Sequence, residues 1–414
     1  MRSRGQRHAL GAALAGGVLL GTPAAFAQQK QLCASLNLPH PIYGAGGSAI
    51  TNDLKGVGAA LSKLSSPVTL LFSDPSACTG FSGFIAKKVT GDFKYWTVDP
   101  GDATKIIENT CSPDAVTGQE VAFAHMGNTA DFCPNTTLPS DVGDFTGPIQ
   151  TVNVITGSGS NEASISAEAL YYVYGFGADG KVPPWNNPAH TVQRTSSSFV
   201  QLFLAAAIGV PPAAFKGTVS ETTNQSVAGD VATFGTNGNG QDAIGFVSGS
   251  TADATKGVKT LAFQAKGQSC GFWPDSTATA RDKVNVRNGQ YFLWTPGHFF
   301  ARIDGKKKIV DPDVANLIGW FNGTVDAPEG LDVAALTIKA GDIPQCAMQV
   351  TRDGTAGAIS SFAPPVPCTH YFEKNANGTT SGTVCAADAD CKSKSEPKCR
   401  FFPTNATSGY CEAY

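Results

Sequence analysis

Charge is scarce in this chain. Asp, Glu, Lys and Arg make up 15% of it, against about a quarter in ordinary soluble proteins. The formal charge is −3, so the basic stripe that nucleic acid requires is missing and a nucleic-acid partner is excluded. The basic run Lys306-Lys307-Lys308 reads as the solvated edge of a hairpin at Asp304-Gly305. Histidine is equally sparse: beyond the leader there are only His40, His125, His190, His298 and His370, scattered and without a His-Glu-x-x-His pattern. No Gly-x-Ser-x-Gly elbow is present, since Gly80-Phe81-Ser82-Gly83-Phe84 fails at its last position. No P-loop lysine follows the glycine-rich segment Gly44–Ser48, which disfavours a nucleotide. No C-x2-C pair or Cys/His spacing suggests zinc, and Asp388 and Asp390 lack the glycine and terminal glutamate of a calcium loop. Neither a metal nor a cofactor is expected. Apolar runs of membrane-spanning length are also missing; Phe199–Val210 is long enough only for a buried helix.

What is present begins with a leader. Arg2, Arg4 and Arg7 precede the apolar run Ala9–Leu20 and the small-x-small site Ala25-Phe26-Ala27, which predicts a signal peptide over 1–27 and a periplasmic or secreted protein. The mature chain of about 387 residues is long enough for two or three domains. All eleven cysteines lie in it, and export makes disulfides the default, with one cysteine left over. Cys111 and Cys133 flank one loop and are expected to pair. Cys346, Cys368, Cys385, Cys391, Cys399 and Cys411 fall in a tail poor in apolar periodicity, 346–414, and are expected to pair mostly among themselves.

Between leader and tail, strand and helix signals alternate, as in an α/β protein. Val68–Phe72 reads as a buried strand, and Ile50, Leu54, Val57, Leu61 and Leu64 as a helix face. Ile165–Val173 reads as a helix opened by Ser164 and Ser166. Three turns share one design: Gly44–Ser48, Ser73–Gly80 and Arg194–Ser198 are each rich in Gly or Ser and each open a helix. A helix N-terminus presents unpaired N–H groups and a partial positive charge, so three of them converging with Arg194 can hold a tetrahedral oxyanion without metal. A single serine there would simply cap the helix. Asp74, in the second turn, either repels an anion or accepts the proton of a monoprotonated one.

These segments resemble the phosphate-binding-like branch of the type 2 periplasmic solute-binding proteins, over residues 38–345. Gly44-Ala45-Gly46-Gly47-Ser48 is similar to that family's ligand loop, Ile165 to Trp185 to its helix-Gly-Trp segment, Arg194 to Ser198 to its Arg-x-x-x-Ser motif, and Ala243–Val247 to its returning strand. The resemblance implies a two-lobe α/β fold with a hinge, lobe I formed by 33–150 and 255–345 and lobe II by 151–254. It implies a monomer that clamps a small, phosphate-like oxyanion and hands it to the membrane component of an ABC transporter, without catalysis. Carried over, Arg194, Ser196, Ser197 and Ser198 contact the ligand from lobe II, and Ser48, the Ala49 backbone and Ser73 from lobe I. Asn128 falls near the position of the family's acidic residue. The family motif continues Ser-Gly-Thr, whereas Ser198 is followed by Phe199 and Val200. An extracellular structural or adhesion protein that kept the fold and lost the ligand is therefore the alternative, and a Phe199 ring filling the Arg194 pocket would favour it. A secreted hydrolase ranks third, for want of a nucleophile–base pair.

Overall fold

The computed structural model describes residues 31–404 and 406–414, so the leader lies outside the described residues. In chain order the elements that place the site are β1 (Pro41–Gly46), α1 (Thr51–Leu61), β2 (Thr69–Ser73), α2 (Ala77–Ile85), β3 (Phe93–Asp99), β4 (Asp102–Cys111), β5 (Phe123–Met126) and β6 (Val142–Gly157). There follow α3 (Ala167–Phe176), β7 (Val192–Arg194), α4 (Phe199–Ile208), β8 (Val219–Glu221), α5 (Asn224–Phe234), β9 (Ile244–Ser248), α6 (Gly249–Ala254), β10 (Trp294–Arg302), α7 (Pro312–Asn322), α8 (Val333–Ala340) and α9 (Thr369–Asn377).

One nine-stranded sheet runs in the order β9-β6-β10-β5-β1-β2-β3-β4, with Val258–Thr260 also paired to β6. β1 lies parallel to both β2 and β5, and β10 runs antiparallel between β5 and β6. At sixteen residues, β6 is long enough to belong to two lobes. Its first half pairs with β10; its second half pairs with β9 and is buried throughout. α1, α7 and α8 cover one face of the first lobe through Leu54, Val57, Leu317, Ile318 and Val333. In the second lobe, Val227, Ala228 and Val231 of α5 pack on Ile155 and Val247. The protein is thus a two-lobe α/β fold sharing one curled sheet.

The local signals explain the elements. Val68–Phe72 becomes β2, whose residues are all buried, as a strand covered on both faces requires. α3 starts behind Ser166, whose hydroxyl accepts from Ala169 N, and α4 ends at Gly209 with φ of 77°. Gly46 is needed for a different reason than ligand approach: a Cβ there would stand 1.9 Å from the His125 carbonyl oxygen, and one on Gly80 would stand 2.3 Å from Gly46 N. These glycines let β5 and α2 close on β1.

The cysteine pairing corrects one expectation. Cys111 does not pair with Cys133; the bonds are Cys33–Cys111 and Cys78–Cys133. Cys111 ends β4, the sheet's far edge, whereas Cys133 follows β5, four strands away. At about 4.8 Å per strand that separation is roughly 19 Å, beyond disulfide reach. Cys33 reaches Cys111 because its N–H bonds the Ser112 carbonyl at 2.9 Å. The tail pairs within itself, as Cys346–Cys368, Cys385–Cys399 and Cys391–Cys411, and Cys270 is free and exposed. Phe372 of α9 is buried in the main core, whereas Cys385, Cys399 and Cys411 form a small cluster of their own with Cys391 and Phe401.

Buried carboxyls sit beneath the start of α1. Asp53 is fully buried beside Asp342 and Thr337, and Gln150 of β6 donates to Asp342 Oδ2 at 3.2 Å. Lys283 lies near but is engaged by Asp253 at 2.6 Å and Asp275 at 3.0 Å. Burial raises both pKa values; Asp53 is also raised by its neighbour, and Asp342 reaches about 7. An aspartate in the unfolded chain titrates near 4, so folding takes up a proton between about pH 4 and 7. This contribution to stability is fully present below about pH 4 and is lost as pH rises through about 7. Asp342→Asn, which keeps the shape without the charge, is expected to flatten that decline and to gain on the order of 3 kcal/mol at pH 8. Urea midpoints of both proteins between pH 5 and 8 check it; parallel profiles would refute the assignment.

Candidate anion-binding site

Arg194 is the last residue of β7, which pairs in parallel with β8. It is only 3% exposed, an unusual place for a guanidinium. Its Nη1 donates to Asn224 Oδ1 at 2.6 Å, Nη2 to the Thr222 carbonyl at 2.7 Å and Nε to the Glu221 carbonyl at 3.2 Å. Gln201 of α4 holds the Arg194 backbone N–H at 2.9 Å. Burial pushes the Arg194 pKa down to about 10, while the charges of Asp74 and Glu221 act the other way. The group is therefore a fixed cation at neutral pH, clamped by acceptors of its own lobe.

The turn from Thr195 to Ser198 then opens α4. Ser198 is its N-cap residue but makes no side-chain cap; its Oγ and that of Thr195 are buried without a partner. Ser197 Oγ lies 3.0 Å from Ser76 Oγ at the start of α2, and the Ser197 carbonyl accepts from Cys78 N at 3.2 Å. Ser48 Oγ, on the turn before α1, accepts from Asn224 N, the first residue of α5, at 3.2 Å. The starts of α1, α2, α4 and α5 therefore meet in one seam between the lobes. Charge opposite Arg194 is partly balanced, because Asp74 Oδ2 accepts from Lys94 at 2.9 Å and from Thr51 Oγ1 at 3.3 Å.

The remaining sequence candidates divide. Ala49 is buried in the same turn, and its carbonyl accepts from Ser250 Oγ at 3.2 Å. Ser73 is buried at the end of β2 with its Oγ against Gly91, where a Cβ would stand 2.9 Å away. Ser196 is exposed. Asn128 is fully buried; its Nδ2 donates to the Thr129 carbonyl at 2.9 Å and its Oδ1 has no partner. The Phe199 ring stacks on Phe203 with centroids 6.1 Å apart and covers Gly127, where a Cβ would meet it at 2.4 Å. It therefore packs on the turn that leads to Asn128. His125 is fully buried with both ring nitrogens unpartnered, and burial lowers its pKa to about 3, so it is neutral.

Sequence reasoning missed Asn224 and Thr222, the residues that hold Arg194. The only local signal marked the helix start, not the partnership: Thr223 before Asn224-Gln225-Ser226 is a capping pattern, and its hydroxyl accepts from Ser226 N at 3.1 Å.

The arrangement places four helix starts and one buried cation at a seam between two lobes. Among solved structures, the chain is similar to an ABC-type phosphate transport receptor from Vibrio cholerae, with 13% identity, 73% of this chain and 99% of that one covered, and a TM-score of 0.44. It is similar to a high-affinity periplasmic phosphate-binding protein with bound phosphate, with 13% identity, 73% and 90% covered, and a TM-score of 0.47. It is also similar to the reduced OxyR regulatory domain from Pseudomonas aeruginosa, with 10% identity, 68% and 95% covered, and a TM-score of 0.37. No protein-family model and no curated protein sequence matches the chain.

Proposed function

We propose that this is an exported solute-binding protein whose seam between the lobes captures a small, phosphate-like oxyanion. The observation that carries the reading is Arg194: a buried, oriented cation beside the buried, unpartnered hydroxyls of Ser198 and Thr195, at a junction of four helix starts. Hydroxyls, backbone N–H groups and one guanidinium suit a tetrahedral oxyanion, because each makes a charge-assisted hydrogen bond in a dry site. The cross-seam bonds of Ser48 with Asn224 and Ser76 with Ser197 are weak, neutral contacts, and a hinge opening that breaks them lets an anion take their place before the lobes close again. Asn128 and the Ala49 backbone complete the proposed contact set from the first lobe. Export is supported by five disulfides among the described residues, which persist only in oxidising compartments. Delivery to a membrane transporter component belongs to the same proposal, as does action as a monomer.

Calorimetric titration of the oxidised protein with phosphate and with sulfate tests the reading. Saturable 1:1 binding of at least one of them is expected, competed by the other if both bind. Absence of heat with either anion would overturn it and leave a structural role, with the seam closed on its own hydroxyls.

A further inference from the structure

Arg352 is a second buried arginine with a different environment. It ends the short strand Val350–Arg352 and is 5% exposed. Its Nη2 donates to the Phe292 carbonyl at 2.8 Å, but Nε and Nη1 have no partner. No carboxylate among the described residues forms an ion pair with it. Arg287, also buried, has a carbonyl at 3.1 Å and Glu373 at 3.9 Å; Arg194 has three acceptors. Arg352 instead lies against aromatic rings, 4.6 Å from the Phe292 centroid, 4.8 Å from Trp294 and 5.7 Å from Phe203.

Two further polar groups nearby are buried and unsatisfied. Trp294 is fully buried and its Nε1–H has no acceptor. His298 binds Asp144 through Nδ1 at 2.8 Å, and its Nε2 has no partner. Arg352, Trp294 and His298 all line one cavity of about 230 Å³, whose other walls include Ile149, Met348 and Phe362. Leaving such groups unpaired in a buried site is costly, most of all for the charged one. An occupant that accepts hydrogen bonds and carries one negative charge offsets that cost at the Arg352 and Trp294 donors.

The geometry points to a second ligand site, separate from the seam, that takes a small monocarboxylate with an apolar tail. One cation with no second positive group matches a single negative charge better than a dianion. The apolar part of the wall, Ile149, Met348, Val350 and Phe362, matches a short hydrocarbon tail, while Thr146, Gln345 and Thr351 line the rest. The volume is below the roughly 300–1,000 Å³ of sites for drug-sized ligands, which limits the occupant to a few carbon atoms.

Butyrate is the probe, titrated into the full oxidised chain in carboxylate-free buffer, with butyramide as the uncharged isostere and inorganic phosphate as the seam ligand. Saturable butyrate binding is expected, with no binding of butyramide. Arg352→Gln should weaken butyrate at least tenfold, and Trp294→Phe, which keeps a ring and removes the donor, about three- to tenfold. Val350→Phe fills the cavity and should abolish butyrate binding while leaving the response to phosphate as in the wild type. Should Arg352→Gln not fold, the Val350→Phe result decides. A wild type that ignores butyrate, or equal butyrate affinity in Val350→Phe, overturns the proposal.

Discussion

Arg194→Ala is expected to remove oxyanion binding and to destabilise the second lobe at once. The guanidinium supplies three hydrogen bonds, to Asn224, Thr222 and Glu221. Its loss leaves these acceptors facing an empty, buried space, at a cost of roughly 3 kcal/mol. For binding, one charge-assisted contact contributes about 1.5–3 kcal/mol, and loss of this buried cation also leaves Asp74 less opposed. Together these predict at least a hundredfold weaker binding of phosphate or sulfate. Arg194→Lys separates the two effects. It keeps the charge but loses the planar fork, so part of the affinity should return while the three acceptors stay incompletely served. Calorimetry and urea unfolding on the three proteins provide the check. Wild-type affinity in Arg194→Ala would show that the cation serves only to brace β7 against the start of α5.

Removing the Cys33–Cys111 bond is expected to have the largest effect on stability. It closes a loop with a sequence separation of 78, for which chain-entropy arguments give roughly 4 kcal/mol. It also pins the N-terminal turn to β4, the outermost strand of the first lobe, which has a neighbour on one side only. Cys33→Ala/Cys111→Ala should therefore lower the urea midpoint of the whole protein. The bond Cys385–Cys399, with a separation of 14, lies in a cluster that Cys391, Cys411 and Phe401 share apart from the main core. Its removal should loosen residues 385–411 and leave the main unfolding transition in place. Equal shifts from the two double variants would contradict this division of the molecule.

Both expectations bear on a single mechanical idea. The proposed anion site is assembled from parts that are each held within a lobe, and the side-chain bonds that cross the seam beside it, Ser48 with Asn224 and Ser76 with Ser197, are neutral. Arg194 is oriented by its own lobe and Ser48 by the turn ahead of α1, so the groups are positioned before a ligand arrives. Such preorganisation lowers the entropy that binding must otherwise cost. Phe199 contributes to it: its ring, set on Gly127 and Phe203, fixes the first turn of α4 against the other lobe.

The sequence alone determined the local pieces. Serines before apolar runs marked the starts of α2, α3 and α4, because a helix start and its N-cap residue are neighbours in the chain; Ser76 and Ser166 cap through their hydroxyls, and Ser198 only occupies the position. The β-rich run Val68-Thr69-Leu70-Leu71-Phe72 marked β2, because a strand covered on both faces needs no alternating polar side. Arg194 was legible as a lone cation at a helix start. The partners were not legible. Cys111 binds Cys33 rather than Cys133 because strand order, not chain distance, sets proximity. Arg194 meets Asn224, thirty residues on, because β7 and β8 pair in parallel. Arg352 acquired its half-paired guanidinium and aromatic neighbours only when the segment after Cys346 closed over β6 and β10. Each of these is a long-range contact, fixed by the packing of the sheet, and no local pattern of residue types encodes it.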